Sequence, residues 1–189
     1  GIGSKTITGT HGIPVVADAI VKGIEGFDRE AAFEAIKKTA AVEERGKEHR
    51  HKHGYIPCDI FSEAVAFDME YAIADAAAAN AAKALGKQAD YEHFTKMSHS
   101  YRTFFDKETG FIRGVDVNGH FRTPFNPYFA AHRANDYCEG NGWQYTWLVP
   151  HDVEGLVECF GGKEKFIEKL DSLFLVSSVI EGAESSPDI

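Results

Sequence analysis

The sequence lacks three features, each of which would point to a particular class of protein. No apolar run approaches the roughly 20 residues that a membrane-spanning helix requires, so we predict no membrane span. There are 20 Lys and Arg residues against 29 Asp and Glu residues, which argues against a nucleic-acid partner, because such binding needs clustered cations. The three cysteines, Cys58, Cys138 and Cys159, form an odd set without CxxC spacing, so neither a zinc site nor a disulfide framework is indicated.

The chain is long enough and apolar enough to form a globular protein, since 43% of its 189 residues are hydrophobic. The segment IPVVADAIVKGI predicts a first helix that ends at Gly26. The residues predicted on its buried face are Ile13, Val16, Ala17, Ile20 and Ile24. Asp28 is the predicted N-cap of a second helix, REAAFEAIKKTA, and the two helices are expected to form a hairpin.

The stretch ERGKEHRHKHGYIPCD is polar and contains Gly54 and Pro57, so it predicts a long surface connection. Three histidines alternate within it, at positions 49, 51 and 53. Alternating histidines could bind a metal ion, but a solvated loop is favoured because no helix or carboxylate scaffold is predicted nearby. The sequence therefore predicts no metal-ligating residues.

The longest predicted helix begins at Ser62, in SEAVAFDMEYAIADAAAANAAKALGK, because alanine has the highest helix propensity and Gly86 supplies an end. So many small side chains imply close contact between helices. A fourth helix is predicted to begin with Asp90 as its cap. The apolar stripe predicted along this helix consists of Phe94, Met97, Tyr101 and Phe105.

The rest of the chain combines a turn signal with two further helical patterns. Asn118 and Gly119 form a two-residue turn signal, so FIRGVDVNGHFRTPFNPYF predicts a short hairpin or an extended loop. The first of the two later helices is interrupted by Pro150 and the second ends near Phe174. Six helices in consecutive hairpins predict an all-α fold, with a toroid or solenoid favoured over a compact bundle.

One stretch, RANDYCEGNGWQYTWLVPHD, combines carboxylates and amides with aromatic side chains. Its polar members are Asp136, Glu139, Asn141, Gln144, His151 and Asp152, and its aromatic members are Tyr137, Trp143, Tyr145 and Trp147. Aromatic faces bind the C–H surfaces of sugars, and amides or carboxylates bridge neighbouring hydroxyls, so this composition suits a carbohydrate pocket. The alternative is an aromatic-rich helix start that packs into the core.

Glu139 precedes Gly140 and Asn141 in a loop-like tripeptide just before a helical pattern. Such a position can present a carboxyl group to a cleft, where apolar walls would raise its pKa and keep it protonated, as a general acid must be. Alternatively, the charge of Glu139 simply stabilises the start of the helix through the helix dipole. The spacing of the residues does not decide between these two roles.

The run CEGNGWQYTWLVPHDVEGLVECFGG resembles the EGNxWQYxWxVPHDxxGL signature of family 92 glycoside hydrolases. The opening GTHGIPVVADAIVKGIEGFD is similar to the family's HxxPVIADAxxKGIxGFD segment, and HGYIPCD is similar to its GYxP loop. The segments EYAIAD, LGKQADYEHFTKMSHSYRTFFDKETGFIRG and PFNPY resemble further family segments in the same order. The resemblance therefore covers essentially the whole chain.

The resemblance implies part of the (α/α)6 toroid of a larger glycosidase, whose N-terminal β-sandwich and remaining barrel hairpins are expected outside residues 1–189. The family enzyme is a calcium-dependent, inverting exo-alpha-mannosidase, expected to be of the alpha-1,2 type, that acts on mannose-terminated glycans. By this match Glu139 is the catalytic general acid. The residues expected to form or support the wall around it are Asn141, Trp143, Gln144 and Tyr145.

The resemblance also implies what the chain does not contain. The family's general base and much of its calcium site belong to later segments, so the isolated chain is expected to be inactive. Its expected partners are a mannose-containing glycan and the missing remainder of the catalytic domain, and uncovered hairpin faces favour self-association. Family resemblance alone implies a periplasmic or secreted location. The alternative function is a helical-repeat module that binds carbohydrate or protein without catalysis.

Overall fold

The computed structural model describes residues 7–131 and 133–182, and in this part of the chain helices predominate. The helices are α1 (Gly12–Val21), α2 (Arg29–Ala40), α3 (Lys47–His53), α4 (Ala64–Ala84), α5 (Gln88–Ser98), α6 (Tyr101–Phe104), α7 (Gly142–Tyr145), α8 (Val153–Phe160) and α9 (Lys163–Leu173). Two short strands, β1 (Phe105–Asp106) and β2 (Phe111–Ile112), form an antiparallel pair. The described residues form two compact units, one of residues 7–55 and 67–100 and the other of residues 56–66 and 101–182.

In the first unit, α1 and α2 pack against each other as the predicted hairpin. The Asp28 carboxylate caps α2 by accepting a hydrogen bond from the backbone N–H of Ala31 at 3.0 Å, as predicted. Side chains of α1, α2 and α5 share a core with the alanine-rich α4, the longest helix described, whose small residues allow close packing. The buried members of this core are Ile13, Ala17, Ile20, Phe33, Ile36, Ala74, Ala78, Ala79, Ala81, Ala82 and Phe94.

The predicted end of α1 was wrong. The helix ends at Val21 rather than Gly26, because Gly23 adopts φ 66° and the N–H of Ile24 turns back to bond the Ala19 carbonyl at 3.1 Å. Ile24, predicted to face the core, is 51% exposed. It lies beyond the last helical turn, so the 3.6-residue repeat no longer determines which way its side chain faces.

The predicted surface connection was also wrong, because residues 47–53 form α3. Gly46 and Gly54 flank the helix with φ values of 86° and 82°, a conformation that favours glycine. The residues that α3 buries are Lys47 and Arg50 rather than apolar side chains. A helix that is buried through paired charges has no apolar periodicity, so the sequence pattern could not reveal it. The three alternating histidines consequently lie on a helix and not in a loop.

The fourth predicted helix is shorter than expected and begins earlier. Its N-cap position is Lys87, without a side-chain cap, and Asp90 lies inside the first turn of α5, with its carboxylate 3.5 Å from the Lys37 ammonium. The expected stripe breaks after Ser98, since the chain turns before the short α6 and Phe105 then enters β1. Tyr101 and Phe105, the last two residues of the predicted stripe, therefore lie in α6 and β1 and not in α5.

The second unit contains both strands and the last three helices. A backbone bridge between Val115 and Phe121 flanks the turn in which Gly119 has φ 85°, so the hairpin predicted from Asn118 and Gly119 is confirmed. The additional β1–β2 pairing, which joins Phe105 to Ile112, was not predicted. Helices α8 and α9 pack against each other and lie close to their predicted positions.

A buried ion network stabilises the first unit. The Arg50 guanidinium is 3.1 Å from the Asp68 carboxylate and 2.5 Å from that of Asp75, and it also donates to the Met97 carbonyl at 2.7 Å. The Ser100 hydroxyl donates to Asp68 at 2.5 Å. Burial raises the pKa of Asp75, and the nearby Arg50 charge opposes that rise. The two buried carboxylates thus share the Arg50 guanidinium as a hydrogen-bonded cation.

Replacing Arg50 by Met should destabilise the chain by about 3–5 kcal/mol, because two buried carboxylates would lose their partner. Urea denaturation followed by circular dichroism measures this loss. Lys22→Met is the matched control, since it breaks the exposed pair with Asp18 and should change stability little. Equal effects of the two substitutions would show that the network does not stabilise the fold.

Candidate functional site

The loop that carries Glu139 is fixed by hydrogen bonds to the first turn of α7. The Asn141 side chain accepts from the backbone N–H groups of Trp143 at 3.0 Å and Gln144 at 3.3 Å. In return, the Gln144 side chain accepts from the backbone N–H of Asn141 at 3.0 Å. This reciprocal capping box satisfies N–H groups that would otherwise lack partners at the helix start. Asn141 and Gln144 therefore set the direction in which the chain enters α7.

Tyr145 holds the other side of the same loop. Its hydroxyl donates to the Cys138 carbonyl at 2.7 Å and lies 3.3 Å from the Cys138 backbone nitrogen, which donates to it. The space beside Gly140 is filled, because a Cβ there would lie 2.9 Å from both the Gln144 Oε1 and a Tyr145 ring carbon. The Glu139–Gly140 turn is thus closed by contacts on both sides.

Glu139 itself has φ 50°, in the left-handed region that a residue with a side chain rarely adopts. Its side chain is exposed within the described part of the chain. The described residues therefore present the carboxyl group but do not bury it. Desolvation of the kind expected for a general acid would have to come from groups outside them.

Trp143 packs against neighbours in the second unit. Its ring lies 4.8 Å from that of Phe111 in an edge-to-face arrangement and 6.1 Å from that of Tyr128. The Lys169 ammonium of α9 lies 4.4 Å from the Trp143 ring and 3.4 Å from the Phe111 ring. These cation–π contacts attach α9 to α7. These contacts fix the position of the Trp143 indole at the start of α7, directly after the Glu139 loop.

The other acidic residues of the sequence cluster have structural partners. Asp152 accepts from the Tyr101 hydroxyl at 2.6 Å and from the Gly155 backbone N–H at 3.0 Å, so it caps α8. Asp136 forms an ion pair with Arg122, with an N–O distance of 2.9 Å. Burial raises the pKa of Asp136, while the Arg122 charge opposes the rise. Neither carboxylate resembles an unengaged general base.

A cavity of about 600 Å³ lies beside this ion pair in the second unit. Its lining combines three phenylalanines with amide and charged groups, a combination that suits a neutral, hydroxyl-rich ligand. The principal lining residues are Phe61, Phe125, Phe129, Arg122, Asn126, Asn135 and Asp136. Glu139 does not line it, although Asn135 and Asp136 belong to the segment that leads to Glu139. No local sequence pattern indicates Phe61 or Arg122 as part of this site, since both are remote along the chain from the loop.

The described residues lack both a metal-binding cluster and a membrane-spanning helix. Within residues 7–131 and 133–182, no three or more His, Cys, Asp or Glu side chains are grouped so that they could hold a metal ion. In the same residues, no helix combines the length and apolar character needed to cross a bilayer. The described residues therefore do not fit a complete calcium site of the six to eight oxygen ligands that this ion prefers.

Comparisons with known proteins identify relatives over nearly the whole chain. A model of the glycosyl hydrolase family 92 catalytic domain matches residues 2–187. A family 92 alpha-mannosidase from Bacteroides thetaiotaomicron, solved with mannoimidazole, is 40% identical, with a TM-score of 0.89, over 95% of this chain and 25% of that protein. An inverting family 92 mannosidase from the same organism is 32% identical, with a TM-score of 0.82, over 94% of this chain and 25% of that protein.

A secreted, uncharacterized glycosidase of Arthroderma benhamiae is 28% identical over 96% of this chain and 28% of its own length. The chain thus spans about a quarter of the length of these relatives. The predicted fold class is confirmed, because the described residues are mainly helical with a two-stranded sheet and the matched domain is an (α/α)6 toroid.

Glu139→Gly should be more stable than Glu139→Ala by about 1 kcal/mol, since only glycine adopts the left-handed conformation without a Cβ penalty. Thermal unfolding of the two variants measures this difference. At Glu154, exposed within α8, the order should reverse, because glycine is a poorer helix former than alanine. Equal stability of the two variants at position 139 would contradict the strained backbone.

Proposed function

This chain belongs to glycoside hydrolase family 92, and on that premise we propose that it is a segment of an inverting exo-alpha-mannosidase acting on mannose-terminated glycans. The finer assignment to the alpha-1,2 linkage is part of the same proposal. The observation that carries it is the position of Glu139, on a strained and closely held turn inside the matching run CEGNGWQYTWLVPHD. The likeness to solved mannosidases, one bound to mannoimidazole, supports the substrate class.

Glu139 would act by donating its proton to the glycosidic oxygen as the sugar departs. An inverting enzyme also needs a base that activates water on the opposite face of the sugar, with the two carboxyl groups about 6.5–9.5 Å apart. Asp136 and Asp152 are occupied by Arg122 and by the α8 cap. The family resemblance implies that the base belongs to a later segment of the catalytic domain, and in our proposal that part would also desolvate Glu139.

The four neighbouring site residues would have supporting roles. Asn141 and Gln144 would hold the acid's turn through the capping box, and Tyr145 would hold it through the backbone of Cys138. Trp143 would form the wall behind this turn, where its packing against Phe111 fixes its ring. In this proposal they stabilise the presentation of the acid and complete the sugar pocket with the rest of the domain.

The whole enzyme would include an N-terminal β-sandwich and the remaining hairpins of the barrel. Calcium, when bound, would help to orient sugar hydroxyls, and its ligands would come largely from those remaining hairpins. We propose a periplasmic or secreted location, which the secreted fungal relative supports. The isolated segment would be inactive and would self-associate, and exposed Phe174, Leu175 and Val179 provide apolar surface for that association.

A binding module without catalysis is the less supported alternative. Identity of 40% to a mannosidase over 95% of the chain goes beyond a shared helical architecture. The alternative predicts that a longer protein containing this chain binds mannose-capped glycans without releasing mannose. The enzyme proposal predicts release of mannose with inverted configuration, which proton NMR of the first-formed product can detect.

In the full-length enzyme, Glu139→Gln should lower turnover of natural mannose-terminated glycans by about 100-fold or more, because the leaving group then receives no proton. Activated aryl mannosides should lose much less, since a good leaving group needs little protonation. Steady-state kinetics on both substrates measures the difference. Unchanged rates on both would remove Glu139 from the role of acid.

Titration calorimetry should detect mannose binding by the complete enzyme, and a calcium chelator should weaken that binding. The isolated 189-residue chain should show no saturable calcium binding, because its described residues do not group enough ligands. Heat of binding with and without the chelator is the measurement. Comparable calcium affinity of the isolated chain would place the site within it and contradict this part of the proposal.

A further inference from the structure

The residues just before and at the start of α4 are hydrogen-bonded to the segment that leads into Glu139. The backbone N–H of Glu63 donates to the Asn135 carbonyl at 2.8 Å, and that of Ala66 donates to the Asp136 carbonyl at 3.1 Å. The Ser62 hydroxyl donates to the carbonyl of Arg133. Residues about 70 positions apart in sequence are thereby joined as neighbouring backbones.

The side chain of Glu63 adds two contacts to this junction. Glu63 is only 9% exposed, and its Oε1 accepts a hydrogen bond from the backbone N–H of Arg133 at 3.1 Å. The Cys138 thiol lies close enough to this carboxylate for the charge of Glu63 to raise the pKa of the thiol. One buried carboxylate therefore bonds the beginning of the segment at Arg133 and acts electrostatically on Cys138, the residue directly before Glu139.

Backbone strain is concentrated at the same junction. Among the described residues, four residues other than glycine have positive φ, and three of them are Glu63 at 56°, Arg133 at 58° and Glu139 at 50°. Each such residue costs on the order of 1 kcal/mol or more and persists only where surrounding contacts enforce it. The carboxylate of Glu63 supplies contacts of this kind to the segment that ends in the third strained residue.

We propose that Glu63 is a positioning residue for the acid: it holds the turn of Glu139 in place through Arg133 and Cys138. This inference rests on the proposed function of Glu139. Glu63 does not itself need to touch the sugar. Its loss leaves the Arg133 N–H without its acceptor, so the segment that leads into Glu139 can relax toward ordinary negative φ and displace the acid.

Displacement of a proton donor has a recognisable kinetic signature. Departure of a poor leaving group depends on protonation, whereas departure of an activated aryl group does not. General loss of folded enzyme lowers both rates by the same factor. In the full-length enzyme, Glu63→Ala should therefore lower turnover of natural glycans at least tenfold more than turnover of activated aryl mannosides.

Asp106→Ala is the matched control variant. Asp106 is likewise buried and organises a different turn by accepting from the Glu108 backbone N–H at 3.0 Å and from Arg113 at 2.8 Å. It should change both rates by a common factor. The double variant Glu63→Ala with Glu139→Gln should lose little more than Glu139→Gln alone, because both changes act on the same proton transfer.

A second readout does not depend on activity. Burial raises the pKa of the Cys138 thiol to about 11, and the charge of Glu63 contributes to the rise. Glu63→Gln should lower that pKa, so alkylation of Cys138 by iodoacetamide, followed by peptide mass spectrometry, should become faster at pH 8–9. Glutamine retains a carbonyl that can accept from the Arg133 N–H. The selective loss of turnover on natural glycans should therefore be smaller in Glu63→Gln than in Glu63→Ala.

The outcomes separate this inference from the function on which it rests. Equal losses on both substrates in Glu63→Ala, with a selective loss in Glu139→Gln, would overturn the positioning role and leave the acid assignment standing. Absence of a selective loss in Glu139→Gln would overturn the proposed function itself. Should Glu63→Ala fail to fold, Glu63→Gln tests the role. A selective loss of turnover on natural glycans with faster alkylation of Cys138 supports the positioning role. Equal losses on both substrates, or unchanged alkylation of Cys138, overturn it.

Discussion

The hydrogen bonds that close the turn between Cys138 and α7 are the constraint on which the candidate site depends. A residue with a side chain does not remain at positive φ without enforcement, and here the capping box on one side and the Tyr145 hydroxyl on the other provide it. The exposed Glu139 side chain is the product of these contacts. The position of the Glu139 carboxyl group is thus set by contacts to the backbone of the loop and not by partners of the carboxyl group itself.

Buried ion pairs are the second organising feature, and in each pair both partners belong to the same unit. In the first unit, Arg50 neutralises two carboxylates, and in the second, Arg122 pairs with Asp136 beside the cavity. Such a pair contributes modest net stability. Removing one of its partners is nevertheless strongly destabilising, because the other charge is then buried without compensation. In our proposal the carboxylates that are paired in this way do not act as the base, which would come from other parts of the catalytic domain.

The chain covers about a quarter of the length of its relatives. Its described residues include the turn of Glu139, the helix α7 that caps this turn and an aromatic cavity in the same unit. Inverting hydrolysis also requires a base on the opposite face of the sugar, which our proposal takes from the rest of the catalytic domain. Assembly of the site from separate hairpins is consistent with a toroid, in which each hairpin contributes a small part of the central surface.

The sequence by itself determined the features that depend on near neighbours. Helical periodicity located α1, α2 and α4, Asp28 identified a cap, and the family motif identified Glu139 as the acid, which stays a prediction. Only the tertiary structure decided that the charged α3 is a helix, that α5 ends at Ser98 and that Glu63 reaches the acid's loop. The reason is physical: periodicity and caps record hydrogen bonds within a few residues, whereas the Arg50 ion pairs and the hydrogen bond between Glu63 and Arg133 join groups 18 to 70 residues apart along the chain.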